Sequence, residues 1–387
     1  MKLIVTVVGM AVLGSLGYTE AAPTVMDIAS CADLQAAAEA TSSGDILGML
    51  VEEEIICEEW LNAEITGNKL KLDGDAGTTY KFDKVRFVVK TGAVLRVEIP
   101  VEFTGDRTQT VNGGVLNVEP DARARFLSDV LMDGVGVDTV DLDNMVHGGC
   151  VYNQGLVRFE GKFNANGCVT ESSIEDYRVA MGGNGGGIYN ARDGQLVFKG
   201  AVDMNFCGDW PWSSNGAEPG MDGGAIYTEG KVSFFEDALF QNNEGDEGGA
   251  LWIGFASVVK FLKHSTATFM ANSGPGNGGA INNYGVLVMK GEAFFNQGRS
   301  TDGSGGCIHY GPIAESVFRK PVDFYGCQAA ADGGAIYIDY QNVEFLPQEA
   351  TYSSNSIVNN FDGEFKCEDI YVAGDGTGAE DAYVCLP

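Results

Sequence analysis

Positive charge, proline and histidine are all scarce in this chain. Only 24 of its 387 residues are Lys or Arg, against 54 Asp or Glu, for a formal net charge of −30. Nucleic acids and anionic membrane surfaces are held through basic patches, so this balance argues against both. The few Lys and Arg residues look scattered over strand-like segments. There are three histidines, and two of them, His264 and His309, have no evident partner in the sequence. No CxxC pair is present, which argues against a zinc ribbon or finger. No segment beyond the N-terminal region is apolar for long enough to cross a bilayer, and the C-terminus has no hydrophobic anchor tail.

Glycine, by contrast, is abundant (54 residues), and 44% of the chain is apolar. That is too hydrophobic for a disordered chain, and the glycines follow no Gly-X-Y triplet. They point to many tight turns. The N-terminus combines Lys2, an apolar stretch from Leu3 to Leu16, and small residues at Ala21 and Ala22. This reads as a secretory signal peptide over residues 1–22, so the mature protein is expected outside the cell. Nine cysteines follow, and in an oxidising compartment most should pair. Spacing suggests Cys31 with Cys57, Cys150 with Cys168, Cys307 with Cys327 and Cys367 with Cys385, which leaves Cys207 over.

An internal repeat sets the architecture. A double glycine recurs at Gly113, Gly148, Gly186, Gly223, Gly248, Gly278, Gly305 and Gly333, in steps of 25 to 38 residues. A phenylalanine precedes each pair: Phe103, Phe126, Phe163, Phe206, Phe240, Phe269, Phe295 and Phe324. An Asn or Asp follows three positions later at Asp106, Asp129, Asn166, Asp209, Asn243 and Asn272. Between the repeats lie short alternating runs such as "GLVRFEGK" (155–162) and "GQLVFKGA" (194–201), which read as strands. One such unit cannot bury its apolar face, but stacked copies can. The expected fold is all-β: a right-handed parallel β-helix, a pectate-lyase-like solenoid. Its phenylalanines would stack inside, one per coil, and its Asn side chains would cap the corners. The segment 32–41 is expected to form a short N-terminal capping helix. The corresponding domain plan is an N-terminal cap over 23–60, the β-helix over 61–360 and a C-terminal cap over 361–387.

The distance from phenylalanine to Gly pair is 8 to 10 residues in five units but 22, 23 and 17 in the second, third and fourth. Three consecutive coils should therefore extrude long loops from one corner, and repeat insertions often build a binding face. The first, 130–147, carries Asp133, Asp138, Asp141 and Asp143 and ends at His147. The second, 168–185, carries Asp176 and Tyr177; the third, 207–222, carries Trp210 and Trp212 in "GDWPW" and ends at Asp222. Tryptophans beside carboxylates suit sugar stacking with hydroxyl hydrogen bonds, or a divalent cation held by oxygen ligands. The ligand-binding wall is thus expected at Trp210, Trp212, Tyr177, Asp176, Asp143, His147 and Asp222. The residues before the Gly pairs include Asp222 and Glu247, which stacking would bring to about 5 Å from each other.

The pairing of "GGA[IL]" with "FxxN", as in "FQNN…GGAL" and "FMAN…GGAI", resembles the passenger domains of polymorphic outer-membrane proteins. Those are β-helical autotransporter adhesins. The resemblance covers about residues 100–340 and implies a repeat fold with an adhesive role. Those relatives end in a membrane barrel, and nothing in this chain could form one.

The same fold class hosts polysaccharide lyases, hydrolases and epimerases, but no paired-aspartate or basic "RIK"-type signature appears here. The expected function is therefore that of a secreted, non-catalytic protein binding polysaccharide or a cell-surface partner. It would need no cofactor, Ca²⁺ being the one option. The alternative is a carbohydrate-active enzyme on an acidic glycan.

Overall fold

The computed structural model describes residues 22–139, 145–172, 183–208 and 222–339, together with the backbone of short strands at 350–353, 356–357, 370–372 and 382–384. Nearly all of its regular secondary structure is parallel strand. An eleven-stranded sheet runs from Thr24–Ile28 to Glu315–Phe318, with every neighbour parallel and in register. A second, twenty-one-stranded sheet covers two further faces. It is joined at its start by the long strands Glu54–Ile65 and Tyr80–Val89, which cross both. The chain is a parallel β-helix whose coils present three faces.

We call the faces first, second and third in the order the chain meets them after each Gly pair. In one coil they are Val151–Asn153, Leu156–Phe159 and Phe163–Asn166. Alternate residues point inward, so Val151–Asn153 reads buried, half-buried, buried and Leu156–Phe159 half-buried, buried, half-buried, buried. The only antiparallel pairing among the described strands joins Ile370–Val372 to Ala382–Val384 at the end of the stack.

The helix forms as expected, over Cys31–Ala40, and we label it α1. Ser30 caps it: its hydroxyl accepts from the Asp33 amide (3.3 Å), and the Asp33 carboxylate accepts from the Ser30 hydroxyl (2.7 Å). Leu34, Ala37 and Ala38 are buried against the start of the stack, and a disulfide from Cys31 to Cys57 ties the helix down.

The phenylalanines form two interior ladders, not one. On the third face Phe240, Phe269, Phe295 and Phe324 stack at centroid distances of 5.1, 4.8 and 4.9 Å. On the second face Phe126, Phe159, Phe198, Phe234 and Phe261 stack at 4.5 to 5.3 Å. Phe126 therefore belongs to a different ladder from Phe103. Phe163 sits in register with Val130 and Val202, two residues short of the ladder position, which Ala165 occupies. Phe206 lies outside the core altogether. Its backbone is left-handed (φ 51°), its side chain is 46% exposed, and Met204 takes its place in the column.

That left-handed corner recurs in seven successive coils, at Gly134, Gly167, Phe206, Asn242, Ala271, Gln297 and Gly326. The next residue points inward. In two coils it is Asn: Asn243 Nδ2 donates to Asn272 Oδ1 (3.0 Å), and Asn272 Nδ2 to the Phe240 carbonyl (2.9 Å). In others it is cysteine. Cys168 and Cys327 bond to Cys150 and Cys307, which follow the Gly pairs of their own coils. Cys207 occupies the same corner position but is free and buried, and burial pushes its thiol up to about 12. Cys367 and Cys385 lie outside the described residues, as do residues 1–21 of the expected signal peptide. The three disulfides are compatible with an extracellular protein. No helix among the described residues is long and apolar enough to cross a membrane.

Candidate binding face

The insertions do start and end at one corner. Their entry strands Val130–Asp133, Phe163–Asn166 and Val202–Asn205 are stacked in register, and so are the exit strands Val151–Asn153, Ile188–Asn190 and Ile226–Thr228. The first insertion is partly strand: Asp133 lies on Val130–Asp133, and Asp138 on Gly136–Thr139, which pairs with Val169–Ser172. Trp210, Trp212, Tyr177, Asp176 and Asp143 lie outside the described residues. His147 and Asp222 are described, and they share one column.

That column is the residue before each Gly pair. The third pair is Gly185–Gly186, because the residue with φ near +70° is Gly185, matching Gly148 and Gly223. Asn184 therefore joins the column between His147 and Asp222. Each side chain here caps the next rung. Asn112 Oδ1 accepts from the His147 amide (2.7 Å), His147 Nδ1 from the Asn184 amide (2.9 Å), and Asn184 Oδ1 from the Asp222 amide (3.2 Å). His147 accepts through Nδ1, and burial lowers its pKa. It is held as a neutral acceptor, a structural role that its position in the sequence does not reveal.

Asp222 and Glu247 follow on successive rungs. Burial, then the charges of Glu247 and Asp246, push Asp222 up to about 7. Burial also raises Glu247, although the side chains of Trp252, Asn277 and Asn282 partly offset it. Asn282 Nδ2 donates to Glu247 Oε2 (2.5 Å). Asn282 Oδ1 then accepts at 2.8 Å from His309 Nδ1, which fixes the proton on that nitrogen. Burial lowers His309 to about 4, so its ring is neutral. His309 thus has a partner, contrary to the sequence reading.

Beside this column the first face carries an aromatic stack directed away from the coil interior, in which Tyr227 is only 7% exposed. Tyr152, Tyr189, Tyr227 and Trp252 lie on successive rungs with ring centroids 5.2, 5.0 and 4.3 Å apart and planes within 8°. The His147 ring rests on Tyr189 at 4.7 Å. Asn282 interrupts the stack, which resumes with His309 and Tyr337 (5.1 Å). Burial, and then the charge of Glu229, raise the phenol pKa values of Tyr152, Tyr189 and Tyr227. These phenols are therefore neutral hydrogen-bonding groups. The signal was present in "GGCVYN", "GGGIYN", "GGAIYT" and "GGALWI", where an aromatic ring holds the outward position of each strand.

The Asp222 shift carries a sign. Its folded pKa, about 7, lies above the unfolded value of 3.8, so the folded state holds the proton more tightly. Stability from this group is complete below about pH 4 and is lost as pH rises to about 7. Asp222→Asn, the residue type of Asn184 and Asn277 in the same column, should remove that loss. Denaturant unfolding should show the variant more stable than wild type at pH 8 by on the order of 2 kcal/mol, and little different at pH 4. Equal offsets at both pH values would contradict the burial of a protonated Asp222.

Among the described residues no group of three or more His, Cys, Asp or Glu side chains could hold a metal ion. An open cleft of about 980 Å³ lies beside α1, lined by Glu52, Glu53, Glu54, Glu58, Glu59 and Trp60 among others. It contains none of the residues expected to form the ligand-binding wall. No known protein family, curated protein or solved structure matches this chain.

Proposed function

We propose that this is a secreted, non-catalytic protein that binds a glycan or a glycan-bearing cell-surface partner. Binding would occur along the first face and at the corner from which the three insertions leave. The observation that carries the reading is the outward row Tyr152, Tyr189, Tyr227 and Trp252 beside that corner. Its strands carry no charged residue, only apolar groups, ring edges, phenols and amides. An apolar track with few polar groups is what an extended sugar chain needs. The test is a glycan array with the full chain. Wild type should bind a restricted set of sugars. Tyr189→Ala/Trp252→Ala and Trp210→Ala/Trp212→Ala should each lose at least tenfold in affinity. No binding by wild type, or unchanged binding by both variants, would end this reading.

A second reading has one observation of its own. Asp222, raised to about 7, adjoins Glu247, and an acid beside a carboxylate is the pairing that general acid–base chemistry on sugars uses. It would make the protein a hydrolase, lyase or epimerase of an acidic glycan. Turnover of uronan or pectin substrates, with and without Ca²⁺, and its loss in Asp222→Asn, would favour it. Absence of turnover on all of them would remove it.

A further inference from the structure

The second face is basic in a strongly acidic protein. From Lys69–Asp73 to Glu315–Phe318, its strands hold eight of the chain's 24 Lys and Arg residues and only two acids, Asp73 and Glu315. The eight third-face strands from Val101–Thr104 to Val322–Tyr325 hold no Lys or Arg and four acids. Those of the first face, from Leu116–Val118 to Ile336–Ile338, hold neither sign. A third of the cations that look scattered along the sequence are thus gathered on one face, although the earlier strand Tyr80–Val89 also carries Lys81, Lys84 and Arg86.

Within that face they align. Lys71 is in register with Arg96, Arg96 with Arg125, and Arg125 with Arg158. Four cations thus lie on consecutive rungs about 4.8 Å apart. Arg123 and Lys69 stand in the parallel outward column of the same strands. Like charges stacked directly across strands repel, so the row costs stability unless something offsets it. Asp73, paired with Lys71 at 3.1 Å, and two glutamates at one flank do so in part. Glu98 bridges Lys71 and Arg96, and Glu160 bridges Arg125 and Arg158. The other flank has no such acid in the strands, and the arginine side chains stay 38 to 45% exposed. A guanidinium has five donors, and these ion pairs occupy one or two of them.

We propose that this row is a binding track for a linear anionic polysaccharide laid along the solenoid axis, with carboxylate or sulfate groups recurring at about the rung spacing. Guanidinium groups match both anions in bidentate geometry. The row is narrow and carries glutamates along one flank, on a chain of net charge −30. Duplex nucleic acid, with a charge per about 1.7 Å of axis, is repelled by the rest of the molecule far more than a chain with one charge per sugar. This track is separate from the aromatic row of the first face, and either could fail without the other.

The test uses the full chain against immobilised polygalacturonate, dextran sulfate, neutral dextran and a single-stranded oligonucleotide. The protein should bind at least one of the two anionic glycans and not neutral dextran, and should weaken at least tenfold between 50 and 300 mM salt. Which of the two it binds tells carboxylate from sulfate. Arg125→Glu/Arg158→Glu, and more mildly Arg125→Gln/Arg158→Gln, should lose tenfold or more. Lys81→Glu/Arg299→Glu, which changes net charge equally but off this face, should stay within twofold. Tyr189→Ala/Trp252→Ala should keep the anionic binding, which separates this track from the first face. Failure to bind either anionic glycan, equal losses in the two charge-reversed variants, or tighter binding to the oligonucleotide would each overturn the proposal. Thermal melts of every variant exclude loss through unfolding.

Discussion

Phe269→Ala is expected to cost about 3–5 kcal/mol of unfolding free energy. The ring is 1% exposed and lies between Phe240 and Phe295, with interplanar angles of 7° and 3°. It also meets Phe261 of the second-face ladder edge-on at 6.0 Å. Truncation removes a filled rung between two others whose backbones are fixed by parallel pairing on both sides. The neighbours cannot collapse into the space, so the cavity term is added to the transfer term. Phe206→Ala, at a residue the repeat places in the same series, should change stability by less than about 0.5 kcal/mol, because its ring faces outward. Denaturant midpoints measured side by side read both effects.

Gly187→Cys is expected to form a new disulfide with Cys207 and to stabilise the protein by at most about 3 kcal/mol. Gly187 stands where Cys150 and Cys307 stand in their coils, one residue past the Gly pair, and Cys207 stands where Cys168 and Cys327 stand. A Cβ built on Gly187 would lie 3.4 Å from the Cys207 Sγ. It would also come within 2.6 Å of Met204 Cε, the end of a flexible side chain, and within 2.6 Å of the Ala225 carbonyl oxygen, so the backbone must shift there at some cost to the gain. That column accepts a Cβ elsewhere, at Val115, Ala225, Ala250, Ala280 and Ala335. The new loop would close over 20 residues, like the 18 and 20 of the existing bonds. Mass spectrometry of the oxidised variant should show no free thiol at Cys207. A free Cys207 in a folded variant would show that the two corners do not face each other.

These examples indicate what a single sequence makes legible in a solenoid. The spacing of Phe240, Phe269, Phe295 and Phe324 is regular because all four occupy the same rung position. Stacking and parallel pairing therefore follow from it directly, whereas the capping helix is legible in its own helical spacing and three disulfides in the nearness of their cysteines along the chain. Phe206 misleads because the corner residue after the strand can also be aromatic, and only the backbone angle separates inside from outside. The second ladder is obscured because Phe159, Phe198 and Phe234 fall in strands that already read as apolar. The proposed binding rows are harder to read, because their residues meet only across rungs. Tyr152 and Tyr189 are 37 positions apart, and Arg96 and Arg125 are 29 apart, yet each pair is adjacent in register. Net charge conceals the second face for the same reason: a sum over the chain does not record which face each charge occupies.

The stacking that brings these residues together is tested most directly by double-mutant cycles on the ladder. Phe269→Leu and Phe295→Leu, on adjacent rungs 4.8 Å apart, should couple by about 0.5–1.5 kcal/mol. Phe240→Leu and Phe295→Leu, two rungs apart, should add within about 0.3 kcal/mol. Additivity in the first cycle, or equal coupling in both, would contradict a rod of in-register coils and the faces built on it.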